Sequence, residues 1–198
     1  GVVSRGLIQD KTALLAVLQE LLLKSNVRLS EIKTVVFGLP ESQSYVHSFT
    51  APTAQKGRTY DALIREELSN VIPVSLDEIV TAKIIVPIDK EQVRIIATGA
   101  SSHAVTTWQE FFVSLGVKHV RIAPETAAMV VGLAITAVDA PCCVVDMGAF
   151  TTTLTMCDEG HIVATYSFAR AGEFLTKGVM TKKGIPYEEA EREKQMGG

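Results

Sequence analysis

Eight consecutive residues, Asp146-Met147-Gly148-Ala149-Phe150-Thr151-Thr152-Thr153, constrain this chain more than any other stretch. The apolar run Cys142 to Val145 leads into them, and Thr152 to Asp158 follows as a second strand, which places the octapeptide at the bend of a β-hairpin. Gly148 lets the backbone approach an oxyanion closely. The amides and hydroxyls of Thr151, Thr152 and Thr153 can donate hydrogen bonds to it. Asp146, at the strand end, can hold a magnesium ion through the waters that ion keeps. An ordinary hairpin with a threonine-rich strand fits the same residues, and the octapeptide alone leaves both readings open.

Composition narrows the classes. With 198 residues, 47% of them hydrophobic, the chain can bury a sizeable core as one large or two small domains. Nineteen Lys and Arg against 22 Asp and Glu give a net charge of −3, without the basic excess of a nucleic-acid binder. A charged fraction of 21% excludes a disordered chain. The three cysteines make no disulfide framework. Cys142 and Cys143 are adjacent, on opposite faces of a strand and expected as core fillers, and Cys157 stands apart. His47, His103, His119 and His161 are scattered without metal-ligand spacing. No signal-peptide pattern opens the chain. The apolar stretch Ala127 to Val145 is interrupted by Asp139 and Pro141, so no segment reaches the roughly 20 apolar residues of a membrane span. A soluble, cytoplasmic protein in a reducing compartment is expected. The strand-like opening Gly1-Val2-Val3 and the stop directly after a helical pattern read as an internal piece of a longer chain.

The remaining pattern is α/β. Val2 to Ile8 turns at Arg5-Gly6, and Asp10 caps a helix over Lys11 to Lys24. Thr34 to Leu39 is a compact strand closed by Pro40, and Tyr45 to Phe49 alternates. After a polar crossover at Pro52 to Thr59 come a helix over Tyr60 to Asn70, strands over Ile79 to Pro87 and Val93 to Gly99, a helix over His103 to Leu115, and a strand over Val117 to Ile122. Trp108, Phe111 and Phe112 are packing residues on one helix, with an interface role as the alternative. A helix over Pro124 to Val138 precedes the hairpin. The strand His161 to Phe168, a helix over Glu173 to Thr181, and a last helix with Pro186 at N1 complete the chain.

The order of these segments resembles the actin-like (ribonuclease H-like) ATPases, a superfamily with actin, MreB, FtsA, Hsp70 and the sugar kinases. Within it the chain is similar to the PilM family of type IV pilus assembly proteins. The likeness rests on GVVSRGLIQD, on Gly38-Leu39-Pro40-Glu41-Ser42, on Val71-Ile72-Pro73, on IAPETAAMVVGL, on DMGAFTTTLTMCDEG and on the terminal EEAEREK. It implies an incomplete actin-like fold: residues 1–48 as part of subdomain 1A, 49–118 as an inserted 1C subdomain of the FtsA and PilM type, 119–140 back in 1A, and 141–198 as the start of 2A with the second phosphate loop. The family's first phosphate loop is expected to precede Gly1 and its glycine-rich adenosine loop to follow Gly198.

The resemblance also implies roles. Glu125 matches the position that orients the attacking water, although an acid in a first helical turn is favoured by the macrodipole in any case. Asp146 is the expected magnesium site. Gly148, Ala149, Thr151, Thr152, Thr153 and Gly172 are expected around the phosphates of ATP, with Ala171 standing where the family tends to carry glycine. Glu191 and Lys194 match a Glu-x-x-Lys pair on the ribose and adenine side, with a solvated i,i+3 ion pair as the alternative. The function implied is a nucleotide-binding scaffold of pilus assembly. Its partner would be the cytoplasmic N-terminal peptide of an inner-membrane PilN-like protein, which would also supply the only link to the membrane. Alternatives are an FtsA-like division scaffold, a nucleotide-independent adaptor and a phosphotransferase of the superfamily. Apolar faces left uncovered by a partial chain would favour self-association into a homo-oligomer.

Overall fold

The computed structural model describes residues 1–53, 57–135 and 140–197. Strands β1 (Val3–Ser4) and β2 (Leu7–Ile8) pair as a hairpin about Arg5 and Gly6, whose φ angles of 47° and 76° are those of a tight primed turn. The Asp10 carboxylate accepts the Ala13 amide at 2.9 Å and so starts α1 (Lys11–Lys24). Strand β3 (Thr34–Leu39) runs parallel to β7 (His119–Pro124), in register from Thr34 opposite His119 to Leu39 opposite Pro124. Parallel strands need a crossover. Here it carries β4 (Ser44–Pro52), α2 (Tyr60–Val71), β5 (Ile79–Pro87), β6 (Gln92–Ser101) and α3 (Ser102–Ser114). Helix α4 (Glu125–Gly132) follows, then β8 (Cys142–Met147), β9 (Thr152–Asp158), β10 (His161–Phe168), α5 (Gly172–Lys183) and α6 (Tyr187–Gln195).

Six strands form one antiparallel sheet in the order β5-β6-β4-β10-β9-β8. Its two halves meet at a single register pair, Ala164 of β10 opposite His47 of β4. One core lies on the outer half, where Ile64, Leu68 and Ile72 pack on Ala51, Val93, Ile95 and Ala97. Gly99 lets Ile72 pack closely there, since a Cβ would sit 2.7 Å from Ile72 Cδ1 and force that side chain to shift. The other core gathers Leu39, Ala104, Trp108, Phe111, Phe112 and Val117, with Phe37 stacked on Trp108 at 4.0 Å between ring centroids. The Trp108 indole N–H donates to the Gly6 carbonyl at 2.8 Å and ties the β1–β2 turn to this core.

Packing groups the elements by core. Strand β4 pairs with β6 from Ser44 to Pro52, so residue 49, an anticipated boundary, falls inside it. Helix α3, anticipated within the inserted unit, buries its aromatic face against β3 and β7. Other expectations shift locally. The helix expected over Pro124 to Val138 is α4, which ends at Gly132, and residues 136–139 lie outside the described ones, as do 54–56 of the polar crossover and Gly198. Pro186 is the N-cap of α6 and not its first helical residue. Cys143 is exposed, because β8 is an edge strand and only its other face meets the body; Cys157 is buried opposite Cys142. Among the described residues, no helix is long and apolar enough to cross a membrane.

Candidate functional site

The parallel pair delivers two acids to one sheet edge. Because Leu39 and Pro124 are in register, Glu41 and Glu125 both emerge where β3 and β7 end, the carboxyl edge at which α/β folds place ligands. Gly38 packs directly against the start of α4, as a Cβ there would lie in van der Waals contact with Glu125, 3.4 Å from its Cα. The β8–β9 hairpin faces this edge across a cleft of about 510 Å³, lined by Glu41, Glu125, Asp146, Gly148 to Thr151, Thr153 and Ser167. Burial pushes the Glu125 carboxyl above its usual range, and the nearby charges of Glu41 and Asp146 add to the shift.

Of the residues singled out from sequence, Glu125, Asp146, Gly148, Ala149, Thr151 and Thr153 meet in this cleft. Glu41 and Ser167 were given no role, yet Thr153 Oγ1 donates to Glu41 Oε2 at 3.3 Å and lies 2.9 Å from Ser167 Oγ. The signal for Glu41 was its place directly after the proline that closes β3. Thr152 turns away: it is buried, and its hydroxyl donates to the Arg170 carbonyl at 2.7 Å. Its role is to hold the hairpin to the segment before α5.

The Gly148 amide is already engaged, donating to the Thr151 carbonyl at 2.9 Å. Among the described residues, the amides of Ala149, Phe150 and Thr151 have no acceptor, which leaves three backbone donors at the bend for an anion. A hydrated cation beside Asp146 suits the three mutually repelling carboxylates. Direct coordination by a protein cage does not fit, since no group of three or more His, Cys, Asp or Glu among the described residues could hold a metal ion.

Gly172, Glu191 and Lys194 lie behind the cleft. The Gly172 amide donates to the Gly148 carbonyl at 3.0 Å, and the Glu173 amide to the Ala149 carbonyl at 2.7 Å, so the first turn of α5 holds the bend. A Cβ on Gly172 would come within 3.2 Å of that same carbonyl. Lys194 Nζ donates to Glu191 Oε2 at 2.7 Å, to Thr176 Oγ1 at 2.9 Å and to the Gly172 carbonyl at 3.2 Å. Thr176 Oγ1 in turn donates to Glu191 Oε2 at 2.5 Å. These bonds, that from Lys194 first, hold the Glu191 carboxyl down at about 2. The pair is thus neither free nor merely solvated: it joins α6 to α5 and, through Gly172, to the hairpin bend.

A second concavity, of about 480 Å³, is apolar. Val46, Ala82, Ile84 and Ile96, on the sheet face away from α2, form one wall, and Ile122, Ala127, Val130 and Val131 form the other. Gly160, His161 and Ile162 of the β9–β10 hairpin border it, and β5 is the edge strand on this side of the sheet.

A sequence profile described as "Type IV pilus assembly protein PilM" matches residues 1–198. The chain belongs to the PilM family. Among solved structures, a PilM-PilN type IV pilus biogenesis complex superposes with a TM-score of 0.78 at 23% identity, covering 98% of this chain and 59% of that one. The chain therefore spans about three-fifths of that PilM-PilN relative. Two further solved structures align over about half the chain. The ethanolamine utilization protein EutJ from Carboxydothermus hydrogenoformans does so at 29% identity, covering 48% of this chain and 31% of that one, with a TM-score of 0.37. MreB 5 of Spiroplasma citri bound to AMPPNP does so at 23% identity, covering 47% and 30%, with a TM-score of 0.38. No curated protein sequence matches. The fold is actin-like and mixed α/β, as the order of motifs implied. Within a PilM-family chain, the cleft occupies the hairpin expected to be the second phosphate loop, and the apolar groove lies between the inserted sheet and α4.

Proposed function

We propose that this chain is the part of a cytoplasmic PilM-family scaffold that joins one half of a nucleotide site to a docking groove for an inner-membrane partner. The observation that carries the reading is the apolar groove beside a free edge strand, in a chain whose fold matches a PilM-PilN complex. An extended peptide satisfies its backbone on such an edge and seats alternate side chains in such walls. The occupant proposed is the cytoplasmic N-terminal peptide of a PilN-like protein. That partner would bring a chain without a membrane-spanning helix to the membrane.

In the cleft, the ligand proposed is ATP with magnesium, which would supply the phosphoryl group and the counter-charge when bound. The residues of this chain have separable tasks. The Ala149 and Phe150 amides and the Thr151 side chain would hold the phosphates. Asp146 would accept from the metal's water shell. Glu125, its carboxyl made more basic by burial, holds and polarises a water near the phosphate end. Gly172, Glu191 and Lys194 hold the bend in shape, and an adenosine moiety reaching them would have to share Lys194 with Glu191. Domain boundaries follow the two cores: an inserted unit of β4, α2, β5 and β6, and a first unit of β1 to β3, α1, α3, β7 and α4.

Titration of the protein with Mg-ATP, and separately with a synthetic N-terminal peptide of a PilN-like protein, tests both halves. Asp146→Ala is expected to weaken Mg-ATP binding at least about tenfold, the loss typical of a hydrogen bond to a charged group, and to leave peptide binding unchanged. Equal nucleotide affinity in the two proteins removes Asp146 from the site. No peptide binding by the wild-type protein removes the groove reading.

A further inference from the structure

The six-stranded sheet is continuous, but its halves touch through only one register pair, Ala164 opposite His47, whereas β4 and β6 pair along the whole of β4. So narrow a seam needs another tie, and β6 provides it. Arg94 lies one pleat beyond Ile96 on the groove-facing side of β6, opposite Val86 of β5 and Thr50 of β4. Its side chain crosses β4 to the tip of the β9–β10 hairpin. There Nη2 donates to Asp158 Oδ2 at 3.1 Å, and Nη1 lies 3.7 Å from Glu159 Oε2. The Arg94 side chain is four-fifths covered, and Nη1 is buried with the Glu159 carboxylate as its nearest counter-charge. The tip also carries a second acid. Glu159 and Gly160 are the central residues of the turn, with φ angles of 49° and 72°, where glycine or asparagine is the unstrained choice for the first position. A glutamate held there in the left-handed region puts a second carboxylate beside Arg94. The next residues, Gly160, His161 and Ile162, are those with which the hairpin borders the groove, opposite Ile84 and Ile96.

We propose that Arg94 is a positioning residue for the peptide groove: its guanidinium clamps Asp158 and Glu159, holds the hairpin tip against the inserted sheet across the seam, and so fixes the groove's width at that end. The clamp acts through the wall it positions and touches no peptide itself. Its bearing on binding rests on the groove reading given above, and its bearing on the seam does not.

Two variants remove the charge pairing and keep the shape, Arg94→Met with its aliphatic stem and the isosteric Asp158→Asn. A third, Arg94→Glu combined with Asp158→Arg, restores opposite charges in reverse order. Backbone hydrogen exchange followed by mass spectrometry reads the seam, and the synthetic PilN-like peptide reads the groove. In both single variants, exchange over residues 158–162 and 80–84 is expected to accelerate about tenfold, with β3, β7 and β8 unchanged and peptide binding weakened about tenfold, the scale of a coupled pair in contact. The reversed pair is expected to bring both back toward wild type. Wild-type exchange at the tip in the single variants overturns the clamp. Acceleration spread evenly over all strands also overturns it, because Arg94 would then serve the fold at large. Local acceleration with unchanged peptide affinity overturns the positioning role. Should the wild-type protein bind no peptide, the groove reading fails, and the exchange measurements still decide the clamp.

Discussion

Replacing Ile84 by alanine tests the groove with little cost to the fold. Ile84 retains 59% of its surface exposed, and it stands on the groove face of β5 opposite Ile96. Burying an isoleucine side chain completely contributes about 1.5–3 kcal/mol. Only the exposed portion, 59%, is left for a peptide to cover, so full coverage is worth roughly 1–2 kcal/mol, most of it lost on truncation. That is about a 5- to 30-fold rise in Kd. The fold has little to lose, since substitutions at such exposed sites change stability by about 0.5 kcal/mol or less, or about 2 °C in Tm for a chain of this size. Fluorescence polarisation with a labelled PilN-like peptide gives the affinity, and a thermal melt gives the stability. Val131 on the opposite wall, 67% exposed, is the matching control, and Val131→Ala is expected to lose about threefold or more by the same reasoning. Affinities within twofold of wild type in both variants, with Tm unchanged, would refute the claim that the peptide lies between these walls.

Two pH predictions follow from the carboxylates. Glu191 is held at about 2 by Lys194 and Thr176, below its ordinary 4.5. A lowered acid contributes stability that is full above 4.5 and is lost as pH falls through about 2. Wild type is therefore expected to lose its stability advantage over Glu191→Gln across that interval, and thermal melts whose difference stays constant throughout it contradict the network's role. Glu125 has the opposite sign, its carboxyl raised by burial and then by Glu41 and Asp146. Its contribution is full below 4.5 and is lost as pH rises through the folded-state value, so Glu125→Gln is expected to melt above wild type at neutral pH, with the gap closing toward acid. A variant less stable than wild type at neutral pH would show that Glu125 is paired and not repelled.

Local signals in the sequence were enough for most of the elements and half of the site. Asp10 marks the start of α1 because its carboxylate can reach the amide of the third helical residue, Ala13, whatever the rest of the chain does. The Asp-x-Gly octapeptide marks the bend because glycine and the flanking strand patterns are local as well. Long-range pairing was not legible. Glu41 comes beside Glu125 only because β3 and β7 align in parallel register, and it meets Thr153 of β9 although 112 residues separate the two partners. The spacing of Glu191 and Lys194 puts them on one helix face, but nothing in it announces Thr176 from another helix. The aromatic stripe of α3 says that the helix is buried, and not which core it joins. The alternation Val80, Ala82, Ile84 reads as core for the same reason, although in the fold it is an uncovered groove wall.

The cleft and the groove are chemically opposite, one acidic and one apolar, and yet they are built on shared elements. Helix α4 begins with Glu125 in the cleft and continues with Ala127, Val130 and Val131 along the groove. At about 1.5 Å of rise per residue, six residues separate the two ends of that role by about 9 Å. Strand β10 does the same from the other side, with Ile162 on the groove and Ser167 in the cleft. A helix and a strand are stiff over such lengths, so neither can adjust at one site without carrying its other end along. The insertion supplies the opposing groove wall and leaves the acidic edge of β3 and β7 untouched. A fold that keeps the bend of the β8–β9 hairpin fixed can therefore reshape the groove by altering β5 and β6, because those strands lie on the side of the seam that the cleft does not use, whereas the Arg94 tie ends on the hairpin whose strands the cleft shares.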